Sequence, residues 1–129
     1  MTGGCLCGAV RYEARGPLRD VVNCHCSRCR RTHGHVGAYT ETTALTLLED
    51  RGLVWYVADG RERGFCRECG ASLFWHREGA TTTSVAAGTL DDPTGLRTVA
   101  HIYVAGKGDY YEIADDLPQH PASGEVSPG

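Results

Sequence analysis

"CRECG", residues 66–70, is the stretch on which the reading of the whole chain turns. A Cys-x-x-Cys pair followed by glycine forms a tight turn that presents two thiolates together. Near the N-terminus, Cys5-Leu6-Cys7 offers a second pair. Residues two apart on a strand share a face about 6.5 Å apart along the chain, so Cys5 and Cys7 are expected on a strand with both sulfurs aimed at one ion. Cys5, Cys7, Cys66 and Cys69 together make a tetrahedral four-cysteine zinc site, with Zn–S near ~2.3 Å. Such a site ties the first strand to a hairpin far along the chain, and its metal contributes directly to folding. The competing reading is buried free thiols or disulfides.

Composition supports the metal reading. The chain has 129 residues, enough for one domain, with 41% hydrophobic residues, 8% aromatics, 17 Gly and seven Cys. A chain of this kind needs stabilisation beyond apolar burial. The N-terminus "MTGGCLCGAV" has neither a basic leader nor a long apolar run, so no signal peptide is expected and the protein is expected in the cytoplasm. An odd number of cysteines in such a chain argues against a disulfide framework and for metal or catalytic use. Formal net charge is −3, which gives no case for nucleic acid or an anionic membrane. The apolar run "LVWYVA" (53–58) is too short to span a bilayer.

The rest of the chain reads as mainly β. "AVRYEA" (9–14), "LRDVVN" (18–23), "VGAYTE" (36–41), "GLVWYV" (52–57), "SLFWHR" (72–77), "TTTSVAAG" (81–88) and "TVAHIYVA" (98–105) are short, β-branched or aromatic, and bounded by Gly, Asp and Pro. "ADG" (58–60) reads as a hairpin turn between "LVWYV" and "ERGF". "SRCRRTHG" (27–34) reads as one helical turn closed by Gly34. Residues 1–118 are expected to form a single zinc-binding domain, and 119–129 a polar tail.

A third cysteine cluster, in "NCHCSRCRR" (23–31), has a different stoichiometry. Cys24, Cys26 and Cys29 are three ligands, and a zinc held by three protein ligands keeps one position for water or substrate. A thiol that fills that position is acidified, and a carbonyl there is polarised. Arg28, Arg30 and Arg31 offer positive charge to an anionic thiol, with Arg28 and Arg31 three apart and so on one side of a helical turn. A solvated basic face is the alternative for these arginines. His33, four residues after Cys29, would share its face and could close the site as Cys3His. His25, between two ligands, is expected to point away from them. His101 suits either strand packing or a pocket wall. Asp91-Asp92 and Asp115-Asp116 suit turn chemistry rather than catalysis.

Taken in order, "GGCLCGAVRYE", "CHCSRCRRTHG", "RGFCRECGASLFW", "GTLDDP", "HIYV" and "YYEIADDLP" resemble the glutathione-dependent formaldehyde-activating enzyme family, which includes the centromere protein V-type domain. The resemblance covers about residues 3–118. It implies the family's small β-tent fold, organised around a structural four-cysteine zinc at Cys5, Cys7, Cys66 and Cys69. It also implies a second zinc, linked to activity, at Cys24, Cys26 and Cys29, hence two Zn2+ per chain. The implied chemistry is that of a carbon–sulfur lyase joining glutathione and formaldehyde into S-hydroxymethylglutathione. Arg28 and Arg31 are the candidate substrate-binding residues. A non-catalytic zinc interaction module and a thiol redox sensor remain as alternatives, because a shared fold does not fix a function.

Overall fold

The computed structural model describes residues 1–123, and 124–129 of the polar tail lie outside the described residues. Among the described residues, ten strands form two sheets. The smaller is antiparallel, in the order β1 (Thr2–Gly4), β2 (Arg11–Arg15), β5 (Ala44–Glu49). The larger runs β10 (Thr98–Ile102), β3 (Val21–Cys24), β4 (Gly37–Thr42), β9 (Thr83–Ala86), β8 (Ser72–Arg77), β7 (Arg61–Cys66), β6 (Leu53–Ala58). All of its pairings are antiparallel except β10 with β3. The helix α1 (Ser27–His33) joins β3 to β4.

Local chemistry accounts for most of these elements. The β6–β7 hairpin turns at Asp59 and Gly60, both at positive φ (53° and 72°), as a two-residue turn with matching twist requires. The helix ends at Gly34, whose φ of 77° lets its N–H reach the Arg30 carbonyl at 2.8 Å. Two elements escape the sequence reading. β1 is three residues, two of them glycine, and β5 ("ALTLLE") is a largely exposed strand at the rim of the small sheet. Neither carries an alternation of buried and exposed positions.

The main core lies between the sheets. Tyr12 and Ala14 of β2 meet Leu73 and Phe74 of β8 and Val85 of β9, and the Tyr12 and Phe74 rings pack edge-on at 5.1 Å between centroids. The buried Tyr12 hydroxyl is satisfied by Thr89 Oγ1 at 2.7 Å, and burial pushes its pKa up to about 12. Cys66 is fully buried in this core, with Cys5 and Cys69 packed against it. A second, smaller core joins Cys24, Cys29, Tyr39 and Ala86 under the helix. Asp91 serves the fold: its carboxylate accepts from Thr2 and Arg11, both at 2.6 Å, and Arg11 pulls its pKa down to about 2. At the other end of the chain, Pro118–Ala122 runs beside β10, where the His101 N–H donates to the Pro118 carbonyl and the His120 N–H to the His101 carbonyl.

Gly52 marks where the loops holding the two cysteine pairs converge. Its N–H donates to Ala9 O at 3.0 Å, its carbonyl accepts from Arg67 at 2.8 Å, and a Cβ there would lie 2.8 Å from both Cys66 Sγ and Ala9 Cβ. Gly52→Ala is therefore expected to destabilise the protein by about 1–3 kcal/mol through overpacking. An unchanged urea midpoint would refute this account of the junction.

Candidate metal centres and cleft

The first cysteine set meets at the edge of the main core. β1 ends at Gly4, so Cys5 and Cys7 lie in the loop that follows and not on a strand, contrary to the sequence expectation. The loop closes through the Cys5 N–H to Val10 O at 3.0 Å, and the Val10 N–H donates to Cys5 Sγ at 3.2 Å. This tighter path brings the Cys5 and Cys7 sulfurs to 3.7 Å, and Cys7 Sγ lies 3.8 Å from Cys66 Sγ. On the opposite side, Cys66–Gly70 forms the tight turn read from "CRECG". The Gly70 N–H reaches Cys66 O at 2.7 Å, with Gly70 at φ 77°. The four sulfurs lie within 4.8 Å of one another. Four soft donors at that spacing fit a single tetrahedral divalent ion.

The second set is built by β3 and α1. Cys24 is the last residue of β3 and pairs with Gly37 of β4 and Ile102 of β10. Cys26 is the N-cap of α1, where its Sγ accepts the Cys29 N–H at 3.3 Å. Cys29 is buried in the first turn. Gly37 permits the helix to close on the sheet: a Cβ there would lie 2.9 Å from the Tyr39 ring and 3.2 Å from Cys29 Cβ. The three sulfurs lie within 4.8 Å of one another, and among the described residues no fourth Cys, His, Asp or Glu joins them. Contact with the Cys24 and Cys29 thiols draws the Cys26 pKa far down; contact with Cys26 drives that of Cys24 up, and contact with Cys24 and Cys26 drives that of Cys29 up. Three thiolates together fit a divalent ion.

His33 does not close this set. Its Nε2 faces the Tyr39 hydroxyl at 2.5 Å, and the rings meet edge-on. His25 points away from the sulfurs, as expected. Its Nδ1 lies 2.5 Å from the Tyr111 hydroxyl, and its Nε2 lies 2.8 Å from His101 Nδ1. His101 Nε2 in turn lies 3.0 Å from the Asp115 carboxylate. An ionised carboxylate only accepts, so with both rings neutral the chain runs in a single direction. His101 donates to Asp115, His25 donates to His101, and Tyr111 donates to His25. Both rings are buried, and desolvation lowers the His25 pKa, in keeping with a neutral ring. With the His25 N–H bonded to Ile102 O at 3.0 Å, this network clamps the Cys24–Cys26 backbone onto β10 and the segment after it. His101 is thus a packed residue, and Asp115 serves it as well as the turn at Leu117, whose N–H donates to Asp115 Oδ1 at 3.0 Å.

The three-cysteine set opens into a cleft of about 610 Å3 whose floor is one face of the large sheet. Register explains the floor. Val22 lies opposite Tyr39; Glu41, Ser84, Trp75 and Arg63 form a row across four strands; Arg77 lies opposite Arg61. Arg28 lines the cleft from the helix, and Arg31 is not among the lining residues. Arg61, Arg63 and Arg77 went unremarked in the sequence reading. The signal was present in the two-residue spacings Arg61-x-Arg63 and Trp75-x-Arg77, which place each pair on one strand face.

Residues 1–106 match the family model described as glutathione-dependent formaldehyde-activating enzyme. The chain belongs to that family. An uncharacterized lyase of Schizosaccharomyces pombe is 25% identical over 116 residues, covering 88% of this chain and 85% of that protein. A Halomonas elongata protein, provisionally named a glutathione-dependent formaldehyde-activating enzyme, is 33% identical over 86 residues, 58% of this chain and 54% of its own length. A crystal structure of a Rhodobacter sphaeroides protein superposes with a TM-score of 0.57 at 26% identity, covering 76% of this chain and 98% of that one. Among the described residues, no helix is long and apolar enough to cross a membrane.

Because His33 is engaged by Tyr39 and not by the sulfurs, His33→Ala is expected to leave the metal content of the isolated protein unchanged. Elemental analysis showing one equivalent fewer than wild type would identify His33 as a ligand.

Proposed function

We propose that this protein is a zinc-dependent carbon–sulfur lyase acting on the adduct of a small anionic thiol and an aldehyde. Glutathione and formaldehyde, giving S-hydroxymethylglutathione, are the reference pair. The observation that carries the reading is the three-cysteine set opening into the arginine-lined cleft, in a chain of this family. In this reading Cys5, Cys7, Cys66 and Cys69 hold a structural zinc within a β-tent domain, and Cys24, Cys26 and Cys29 hold the second. The second zinc, when bound, acidifies a thiol and polarises a carbonyl.

The chemistry balances without another reactant. The thiol gives up its proton, its sulfur forms a bond to the aldehyde carbon, the C=O π pair moves to oxygen, and that oxygen takes a proton. The reverse sequence cleaves the C–S bond. The protein's own residues hold and orient. Ile102 and Trp75, packed against the second core, form an apolar wall beside the sulfurs. Arg28 draws in the anionic end of the thiol from the helix side, with Arg31 the second candidate on the same helix. The His25–His101–Asp115 network keeps the Cys24–Cys26 segment in place, the supporting role that residues behind metal ligands generally play.

Two zinc ions per chain are expected in protein prepared under reducing, metal-replete conditions. Cys69→Ser should impair folding along with loss of zinc. Cys26→Ser should stay folded, because serine is itself a good N-cap, and should lose the second zinc only. If Cys26→Ser melts as readily as Cys69→Ser, both sites are structural.

The reaction itself is tested by exchange NMR on glutathione with formaldehyde. Wild type should accelerate adduct formation and breakdown over the uncatalysed background, and Cys26→Ser should not. No acceleration by wild type with any small thiol would sink the assignment while leaving the metal sites standing.

A further inference from the structure

β6 (Leu53–Ala58) forms one edge of the large sheet, and among the described residues nothing pairs with its outer side. Its sequence, "LVWYVA", has no charge and no proline, and its pairing with β7 runs without a bulge, so it lacks the usual guards of an edge. Trp55, Tyr56 and Val57 are exposed to 38%, 62% and 62%. The other edges differ. β10 is covered by Pro118–Ala122. β1 is three residues long and is met by the Gly3–Leu90 bridge and by the Asp91 N–H, which donates to Thr2 O at 3.0 Å. β5 has a bulge opposite Arg11 and Tyr12 and ends in Glu49.

The hairpin fixes which backbone groups β6 directs outward. Asp59 and Gly60 form a two-residue turn, so Ala58 and Arg61 exchange both hydrogen bonds. Antiparallel alternation gives the same bonding to Tyr56 with Arg63 and to Val54 with Phe65. Leu53, Trp55 and Val57 fall between, with their N–H and C=O groups turned away from β7. Two bonds at the start of the strand agree. The Leu53 N–H turns back to Asp50 O at 3.0 Å, and Cys66, opposite Leu53, gives its N–H to Ala71 O at 2.9 Å. Side chains flank this outward row on both faces. The Trp55 ring stacks on Phe74 of the main core at 5.9 Å between centroids, while Tyr56, opposite Arg63, stands on the cleft face.

We infer that β6 is a dimer interface, on which β6 of a second copy of this chain pairs antiparallel about a two-fold axis at Trp55. Charge selects both the occupant and the register. Three pairings bring the outward groups of Leu53, Trp55 and Val57 together. Centred on Trp55, the pairing sets Leu53 against Val57 of the second copy, and beyond each end of the strand it sets Arg51 against Asp59. Centred on Tyr56, it would set Arg51 against Arg61; centred on Val54, it would set Glu49 against Asp59. Both alternatives oppose like charges, which disfavours them. Arg51 and Asp59 are free to exchange partners, because their present ones, Glu49 at 2.9 Å and Arg28 at 3.7 Å, form exposed pairs that contribute little. A two-fold pairing closes on itself, so an edge open to further addition becomes internal. It joins two seven-stranded sheets into one with both clefts on the same side. Tyr56, which lines a hollow of about 300 Å3 with His33 and Tyr39, then sits at the seam beside Val54 of the second copy.

Sedimentation and amide hydrogen exchange on the metal-replete protein test this together. Six residues a side make a short interface, so wild type should be a dimer at about 100 μM and dissociate on dilution with a Kd of about 1–10 μM. In the dimer the Trp55 and Val57 amides should be protected from exchange. Val57→Lys places a charge on an exposed edge position and should give a folded monomer with unchanged metal content. In that variant Trp55 and residue 57 should exchange freely, while Tyr56 and Ala58, bonded to β7, stay protected. Arg51→Glu sets a like charge against Asp59 at both ends and should raise the Kd by about tenfold. Wild type that is monomeric at about 100 μM overturns the inference, even where β6 takes up an extended peptide of another protein. A dimer whose Trp55 and Val57 amides exchange freely overturns it as well, since its interface lies elsewhere. A dimer indifferent to Arg51→Glu overturns the register centred on Trp55. Should Val57→Lys fail to fold, the exchange pattern of wild type decides by itself.

Discussion

The rest of the structure depends on a crowding of sulfur. Four thiols from Cys5, Cys7, Cys66 and Cys69 lie within 4.8 Å of one another, and three more do so at Cys24, Cys26 and Cys29. Such crowding is unfavourable for ionised thiols and favourable only around a cation. The first set fastens the loop after β1 to the β7–β8 turn, contacts separated by 59 residues between Cys7 and Cys66. It does so at the edge of a core whose large members are few: Tyr12, Leu73, Phe74, Val85 and Leu90. A core of that size in a chain rich in glycine gains most from a long-range link of this kind.

The second set is arranged with less local support, and the protein supplies that support from elsewhere. One sulfur ends a strand, one caps a helix and one sits in the first turn of that helix. None of these positions is rigid alone. The buried Tyr111–His25–His101–Asp115 chain, and the close approach allowed by Gly37, hold the strand end and the helix together. A fully satisfied polar chain of this kind stabilises one arrangement, because breaking any link leaves a buried ring nitrogen without a partner. The parallel pairing between β10 and β3 delivers His101 to His25 and Ile102 to the edge of the cleft.

The two sets differ in what surrounds them. The four-cysteine set is bounded by its own loops and the main core. The three-cysteine set faces a broad cleft floored by a sheet face that carries Arg61, Arg63 and Arg77. Charge on the whole chain gives no hint of this, being −3. A slightly acidic protein can therefore present a cationic cleft, where the low-dielectric walls strengthen the attraction for an anion.

The sequence by itself determined the parts whose physics is local or stoichiometric. Cysteine spacing marked out both sets, glycine marked the ends of the helix and of the Cys66–Cys69 turn, Asp59-Gly60 marked a hairpin, and β8 appeared with its observed ends at 72 and 77. The family followed from the ordered set of motifs. Only the tertiary structure decided what depends on pairing between distant segments. Cys5 and Cys7 reach one point through a loop closed by Val10, where alternation along a strand was expected. β5 exists because β2 accepts it, although "ALTLLE" carries no strand alternation of its own. Residue spacing placed Arg28 and Arg31 together and was silent on which face of β7 and β8 meets the cysteines. Strand register answered the second, because a side chain's face is fixed by its own strand, but its neighbours are fixed by the strands that pair beside it.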